Sequence, residues 1–230
     1  MFTMIREAHR CGRPLTRHQL TEAGRDIRLF PGVEGWFGRI NAFGASLGVT
    51  VEHYIISSGL KEILEGCSIG AEFKEIFASE FYYGEDGEAA WPKLAVNYTS
   101  KTQFVYRINK GVLDVSDDKT LNDSMPDDSK RIPFTNMIYL GDGLSDVPCM
   151  KMMQSYGGAS IAVYKEMGQS VKDLLERGRV DYIYPADYRE GTGLDRTVKN
   201  IIRKMATADA LSEENARQLQ MIRRSEELSG

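Results

Sequence analysis

Two carboxylates four residues apart follow a short apolar run in Ile-Tyr-Leu-Gly-Asp-Gly-Leu-Ser-Asp, residues 138–146. The run predicts a buried strand, which places Asp142 at its carboxyl end and Asp146 one tight turn later. Carboxylates on a loop that leaves ligand positions to water suit Mg²⁺, which binds through one or two carboxylates. Asp146 has a second interpretation, as the cap of a helix that begins near Pro148. We therefore expect a magnesium site at this loop.

Two groups further upstream could bind an anion. Ser57, Ser58 and Gly59 follow an apolar run at 49–56. A hydroxyl with consecutive backbone amides at a strand-to-helix turn can bind phosphate, and an ordinary N-cap serine is the alternative. Lys101 falls in the first turn of a predicted helix, where its charge opposes the helix dipole unless a phosphate or carboxylate faces it. A solvent-exposed lysine is the alternative there.

The elements that must position these groups alternate between strands and helices. Alternation of this kind predicts a parallel sheet covered by helices on both faces, with ligands bound at the carboxyl ends of the strands. Capping boxes at Thr16/Gln19 and Ser100/Gln103 predict two of the helix starts. We expect strands at 49–56, 137–140, 160–164 and 181–184, a hairpin at 77–91, a helix at 194–205 and a separate last helix from Ser212.

Bulk properties narrow the classes of protein. The 230 residues suffice for one α/β domain, and the net charge of −4 gives no strong attraction to nucleic acid or to an anionic membrane. The cysteines, Cys11, Cys67 and Cys149, are scattered and fit a reducing cytoplasm. No apolar run reaches membrane-spanning length, and the amino terminus lacks a signal-peptide pattern. We expect a cytoplasmic protein.

In their order along the chain, Ser57, Lys101 and Gly-Asp-Gly-x-x-Asp at 141–146 resemble the motifs of the haloacid dehalogenase superfamily, in its phosphoserine-phosphatase-like branch. The resemblance covers roughly residues 30–190. It implies a Rossmann-like α/β core, Mg²⁺ as cofactor and a small phosphorylated molecule as substrate, hydrolysed through an aspartyl-phosphate. The implied roles are phosphate binding for Ser57, Ser58 and Gly59, charge neutralisation for Lys101, and metal binding for Asp142 and Asp146.

The chain departs from that family at its first motif, Asp-x-Asp-x-Thr/Val after an apolar strand. The one aspartate before Ser57 is Asp26, which follows no apolar strand, and Asp114-Val-Ser-Asp-Asp is out of order in a polar stretch. We expect the nucleophile and the first core strand to be missing from the chain. The expected domains are a remnant of a helical cap at 1–28, a core at 29–205 with a hairpin insertion near 77–91, and a polar helix at 206–230.

Three functions remain open on these grounds. The first is an amino-terminally truncated, inactive phosphohydrolase, the second a non-catalytic binding module, and the third one half of a split enzyme. In the resembling family the missing strand is central, between the strand ending at Ser57 and the strand ending at Leu140. Those two strands then pair directly, or another segment fills the gap, or the open edges cause self-association. We expect no nucleic-acid or membrane partner.

Overall fold

The computed structural model describes residues 1–126 and 129–227, in which helices and strands alternate as the apolar pattern predicts. The helices are α1 (Phe2–Arg10), α2 (Arg17–Gly24), α3 (Trp36–Ser46), α4 (Lys61–Gly66), α5 (Lys101–Lys110), α6 (Asp118–Asn122), α7 (Val147–Ser155), α8 (Gln169–Glu176) and α9 (Gly193–Glu227). The strands are β1 (Tyr54–Leu60), β2 (Glu75–Tyr83), β3 (Ala89–Leu94), β4 (Ile138–Gly141), β5 (Ala159–Tyr164) and β6 (Tyr182–Pro185). None of the helices in these ranges has the length and apolar composition needed to cross a bilayer.

The strands form two separate three-stranded sheets. In the first sheet β1 pairs in parallel with β2, with Tyr54 opposite Glu75, and β2 pairs antiparallel with β3. In the second sheet β4, β5 and β6 are parallel, with Ile138 opposite Ala159. The mixed α/β architecture with parallel pairing is therefore as predicted. The predicted hairpin forms as β2 and β3, and its first strand is also the parallel neighbour of β1.

Helices cover the strands on two faces. On one face, Phe104 and Val105 of α5 and Met153 of α7 pack with Phe77 of β2 and with Tyr139 of β4. The other face is covered by α3 and α9, whose buried residues Phe37, Ile40, Val198 and Ile202 pack with Ile138 and Leu140 of β4. Because the layer of α5 and α7 contacts strands of both sheets, the two sheets lie in one α/β/α sandwich.

A cavity of about 710 Å³ separates β1 from β4, and we call it the inter-sheet slot. Strands β1 and β4 form its two edges. Helix α5 covers it on one face, and helices α3 and α9 cover it on the other. The residues that line it include Tyr54, Ile56, Ile138, Leu140, Val105, Ile108, Ile40, Val198 and Ile202. Among the described residues, β1 and β4 do not pair with each other, and no other strand lies between them. Two of the outcomes expected for a missing central strand are therefore not observed.

Of the two capping boxes predicted from the sequence, one is present. The capping box at α2 is confirmed, because Thr16 Oγ1 accepts from the Gln19 backbone N–H while Gln19 Oε1 accepts from that of Thr16. The box predicted at Ser100 and Gln103 is wrong. Ser100 makes no cap hydrogen bond, and its hydroxyl donates instead to the carbonyl of Asn97. The side chain of Asn97 takes over, since its oxygen accepts from the Ser100 backbone N–H.

The carboxyl-terminal region also differs from expectation. Helices at 194–205 and from Ser212 were predicted separately, but the structure has the single helix α9. The Ser212 hydroxyl donates to the carbonyl of Ala208 at 3.0 Å, four residues earlier, so it does not cap a new helix. A serine can satisfy its hydroxyl within a continuous helix in this way, which removes the predicted break.

Candidate functional site

The Ser57-Ser58-Gly59 segment lies near the end of β1, directly before Leu60, which is the N-cap of α4. The strand that contains it begins at Tyr54 rather than at residue 49, and its pairing with β2 begins with Tyr54 opposite Glu75. It continues to Leu60, and its register with β2 shifts after Ile56, so the segment forms a bulge. Helix α4 begins at Lys61, two residues after Gly59, and binding of a phosphate by this segment stays a prediction.

The bulge nevertheless presents one hydroxyl. Ser57 Oγ accepts from the backbone N–H of Gly59 at 3.0 Å, so that amide is already satisfied within the chain. The hydroxyl of Ser57 keeps its own hydrogen as a donor. Ser58 and Gly59 are exposed. The segment can thus donate one side-chain hydrogen bond to an anion, but it is not a full cradle of amides.

Lys101 is buried in the first turn of α5, with 6% of its surface exposed. Its Nζ donates to Oδ1 of Asp146 at 2.7 Å. The interpretation as a solvent-exposed lysine is therefore wrong. A carboxylate facing the ammonium group was one of the two arrangements expected to offset the unfavourable helix dipole, and the structure has it.

Asp146 is buried, and both oxygens of its carboxylate accept hydrogen bonds. Oδ1 accepts from Lys101 and also from the hydroxyl of Tyr139 at 2.7 Å, while Oδ2 accepts from the backbone N–H of Gly143 at 3.2 Å. The alternative interpretation, that Asp146 caps α7, is wrong because its side chain makes no cap hydrogen bond to that helix. Satisfying both oxygens is what allows a carboxylate to remain charged in a buried position.

Asp142 differs from Asp146 in its environment. It follows β4 directly and is exposed, so its charge needs no protein partner. The pKa of Tyr188 is raised to about 12, mainly by burial and further by the negative charge of Asp142. Tyr188 packs edge-on against Trp36, with 5.2 Å between ring centroids.

Long-range contacts indicate that β1 and β4 run in the same direction. Arg131 precedes β4 and donates to the hydroxyl of Tyr54 at 3.1 Å, at the beginning of β1. At the other end of β4, Asp146 on the loop after the strand bonds to Lys101, which lies in the first turn of α5. Ser57 and Asp142 therefore lie toward the same end of the inter-sheet slot, as predicted for strand ends in parallel sheets. Among the described residues no hydrogen bond joins Ser57 to Lys101, Asp142 or Asp146, so a single pocket formed by all four stays a prediction.

Two further residues lie at this site. Tyr139 was not among the candidate residues, and Cys149 was assigned no role. Burial, with further contributions from Cys149 and Asp146, raises the pKa of Tyr139, so its hydroxyl stays protonated and donates to Asp146. A tyrosine inside an otherwise aliphatic strand was the available signal. Cys149 is buried, and burial raises the pKa of its thiol to about 11, which keeps the thiol protonated.

The donor set at the loop is small. Over the ranges 1–126 and 129–227, no cluster of three or more histidine, cysteine, aspartate or glutamate side chains is arranged to hold a metal ion. Asp142 is exposed to solvent, and Oδ2 of Asp146 accepts a hydrogen bond from one backbone amide. These carboxylates do not form an all-protein cage, and a Mg²⁺ site completed by water stays a prediction.

Neither of the other two aspartate groups considered in the sequence is arranged as an Asp-x-Asp pair after a strand. Asp26 is exposed in the segment after α2 and follows no strand. Asp114 accepts from the backbone N–H and the hydroxyl of Ser116, and Asp117 caps α6 through the backbone N–H of Thr120. These carboxylates organise a turn and a helix start, which is a structural role.

Comparison with known proteins adds one relative. No protein-family model matches the chain. A protein of Borreliella burgdorferi described as uncharacterized is 28% identical over 200 residues, which cover 78% of this chain and 68% of that protein. The similarity between the two proteins therefore covers most of both chains. It brings no described activity to the candidate site.

Proposed function

We propose that this chain forms the phosphate- and metal-binding part of a magnesium-dependent phosphohydrolase similar to the haloacid dehalogenase superfamily, with a Rossmann-like core. One observation carries the proposal. A buried lysine, Lys101, bonds to Asp146 on the loop that also presents Asp142 at the carboxyl end of β4. Burying both members of an ion pair costs desolvation energy, and active sites are places where proteins retain such pairs.

Each group has a chemical role in this proposal. The ammonium group of Lys101 offsets the negative charge of a phosphate monoester at the mouth of the site. Asp146 holds that ammonium group in place through the 2.7 Å hydrogen bond, and Tyr139 holds Asp146. The Ser57 hydroxyl donates to a phosphate oxygen, and the exposed Ser58 and Gly59 leave room for the anion to approach.

Mg²⁺ is the proposed cofactor, with Asp142 as its main protein ligand and Asp146 as the second. The ion supplies positive charge beside the phosphoryl oxygens when bound. The exposed position of Asp142 supports this role, because a carboxylate that faces solvent can exchange a water for an ion without losing an existing partner.

The chain by itself is proposed to be inactive. In the resembling family an aspartate attacks the phosphoryl group, the alcohol leaves, and water then hydrolyses the acyl-phosphate. The Asp-x-Asp pair that this reaction needs is absent from the sequence. We therefore favour a cytoplasmic phosphohydrolase-like chain that binds a small phosphorylated molecule and does not hydrolyse it by itself. A non-catalytic phosphate-binding module and one half of a split enzyme remain the alternatives.

Binding of Mg²⁺ and inorganic phosphate tests this proposal without requiring turnover. We expect the two together to raise the melting temperature of the chain, because ligands that bind the folded state stabilise it. Asp142→Asn should remove the part of the shift that depends on Mg²⁺. Asp26→Asn is the matched control, an exposed carboxylate far along the chain, and should keep it. An equal magnesium shift in both variants would refute the assignment of Asp142.

A further inference from the structure

The second half of α9 extends beyond the body of the protein. In the first half, Ile202 is buried against the core, and farther along the helix Asp209 accepts from Asn136 at 2.8 Å. Every residue from 211 to 224 is exposed. We call residues 211–224 the α9 arm. The arm is about four helical turns long.

The α9 arm carries an apolar stripe along one face. Leu211 is 68% exposed and Leu219 is 49% exposed. Leu211, Asn215 and Leu219 follow each other at intervals of four residues, and Ile222 comes three residues later, so the four positions lie on one face of the helix. None of the four is charged. A helix of this length gains most of its stability from packing such a face, so the stripe is suited to cover a second helix.

Charge is distributed unevenly along the same region. The acidic residues come first and the basic residues follow: Asp209, Glu213 and Glu214, then Arg217, Arg223 and Arg224. The ion pair between Glu214 and Arg217, at 3.1 Å, is exposed on both sides and contributes little. Two arms in parallel would place like charges together, whereas two antiparallel arms place the acidic half of each beside the basic half of the other. The charges therefore favour an antiparallel second copy as the partner.

The stripe also matches itself about a two-fold axis at the middle of the arm. In an antiparallel pair with that axis, Leu211 of one copy lies opposite Ile222 of the other, and Asn215 lies opposite Gln218. Gln218 donates to Glu214 at 3.0 Å within its own helix, which leaves its side-chain oxygen to accept from the amide of Asn215. A polar pair within an apolar seam fixes the register of paired helices.

We propose that the α9 arm joins two copies of this chain as an antiparallel pair of helices. Asn136 precedes β4, so its bond to Asp209 places the start of the arm at the amino end of that strand. The loop that carries Asp142 and Asp146 lies at the opposite end. The dimer therefore leaves the candidate site open, and the proposal does not depend on phosphate binding.

Sedimentation of the full 230-residue chain at several concentrations measures this association. We expect a reversible equilibrium between monomer and dimer. Leu211→Ser combined with Leu219→Ser should weaken dimerisation by about tenfold or more, because burial of even one leucine side chain changes a binding constant by that factor. Leu175→Ser on α8 is the control, since this leucine is also exposed, and it should change nothing. Slow amide exchange at Val163 in β5 confirms that each variant is folded.

Charge reversal tests the orientation of the two helices at low ionic strength. Glu213→Arg combined with Glu214→Arg makes both halves of the arm basic, so dimerisation should weaken. Adding Arg223→Glu and Arg224→Glu to that variant should restore it, because opposite charges again lie side by side in an antiparallel pair. In a parallel pair each residue lies beside its own copy, so the first variant would leave the affinity unchanged.

Three results would overturn the proposal. A chain that stays monomeric at every concentration would point to a partner of different sequence. Dimers that persist unchanged in the double serine variant would be joined through another surface, such as the edges of β1 and β4. Equal affinities of the unchanged chain and the variant with Glu213→Arg and Glu214→Arg would rule out the antiparallel arrangement.

Discussion

The Nζ of Lys101 lies 2.7 Å from Oδ1 of Asp146, and both side chains are buried although 45 residues separate them in sequence. The bond connects the start of α5 to the loop after β4, so it fixes the end of the inter-sheet slot where the candidate site lies. Tyr139 donates to the same oxygen. A carboxylate that accepts from both a cation and a hydroxyl holds these elements in one geometry.

Lys101→Met should strongly destabilise the chain, because it leaves the charge of Asp146 buried without a cation. Removing one partner of a buried ion pair costs about 3–5 kcal/mol. The double variant Lys101→Met with Asp146→Asn should recover much of that loss, since it removes the uncompensated charge. Urea denaturation at neutral pH measures both. A single variant as stable as the double one would mean that the pair contributes no coupling energy.

Gly141→Ala should disturb the loop that carries the two carboxylates. A Cβ at Gly141 would lie 2.6 Å from Cβ of Asp146 and 2.7 Å from Cε of Met150, both far inside van der Waals contact. Overpacking of this kind costs about 1–3 kcal/mol. Gly38→Ala in α3 is the matched control, because nothing lies within 4 Å of its added Cβ. Thermal unfolding should show a loss for the first variant and none for the second.

Stability should fall in acid through Glu52. Burial by itself raises the pKa of this carboxyl, but hydrogen bonds from Arg131, Lys74 and Tyr54 outweigh it and lower the pKa from 4.5 to about 2. A lowered folded-state pKa gives stability that is complete above the unfolded value and is lost as the pH falls from about 4.5 to about 2. Glu52→Gln should flatten the stability profile in that window, measured by denaturation at several pH values. Glu176→Gln on α8 is the exposed control, and an identical profile in both variants would contradict the assignment.

The chain should hydrolyse no phosphate ester, because the sequence lacks the Asp-x-Asp pair. The assay is release of the alcohol from an aryl phosphate by purified protein with Mg²⁺. Turnover that persists in Asp142→Asn would indicate a contaminant. Turnover that this substitution abolishes would show that another group acts as nucleophile, and the prediction would be wrong.

The unfilled slot should make the isolated chain marginally stable and prone to self-association through β1 and β4. Each buried unsatisfied backbone group costs about 1–3 kcal/mol, whereas the whole free energy of unfolding of a domain is about 5–15 kcal/mol. Sedimentation and thermal unfolding at several protein concentrations check this. A monomer with a reversible transition well above about 60 °C, near the upper range of ordinary domains, would contradict it.

The sequence by itself determined the elements and the chemical types at the site. Apolar runs and turn residues are local signals, so β4, β5, the β2–β3 hairpin and the capping box at Thr16 could be predicted. Gly111 ends α5 with a φ of +77°, a conformation that glycine adopts readily, so this helix end was also readable. The carboxylates Asp142 and Asp146 and the cation Lys101 were identified for the same reason, because residue type and spacing after a strand are visible in the chain.

Only the tertiary structure decided which of these groups meet. The pairing of Lys101 with Asp146 depends on packing between α5 and the loop after β4, and no spacing rule encodes a contact 45 residues apart. The bulge at Ser57 follows from the register of β1 against β2, which a single strand's sequence does not contain. Asp142 became exposed and Asp146 buried because the chain turns between them. The slot between β1 and β4 is a property of two sheets held in one sandwich, and strand pairing between distant segments decides whether such a space is open.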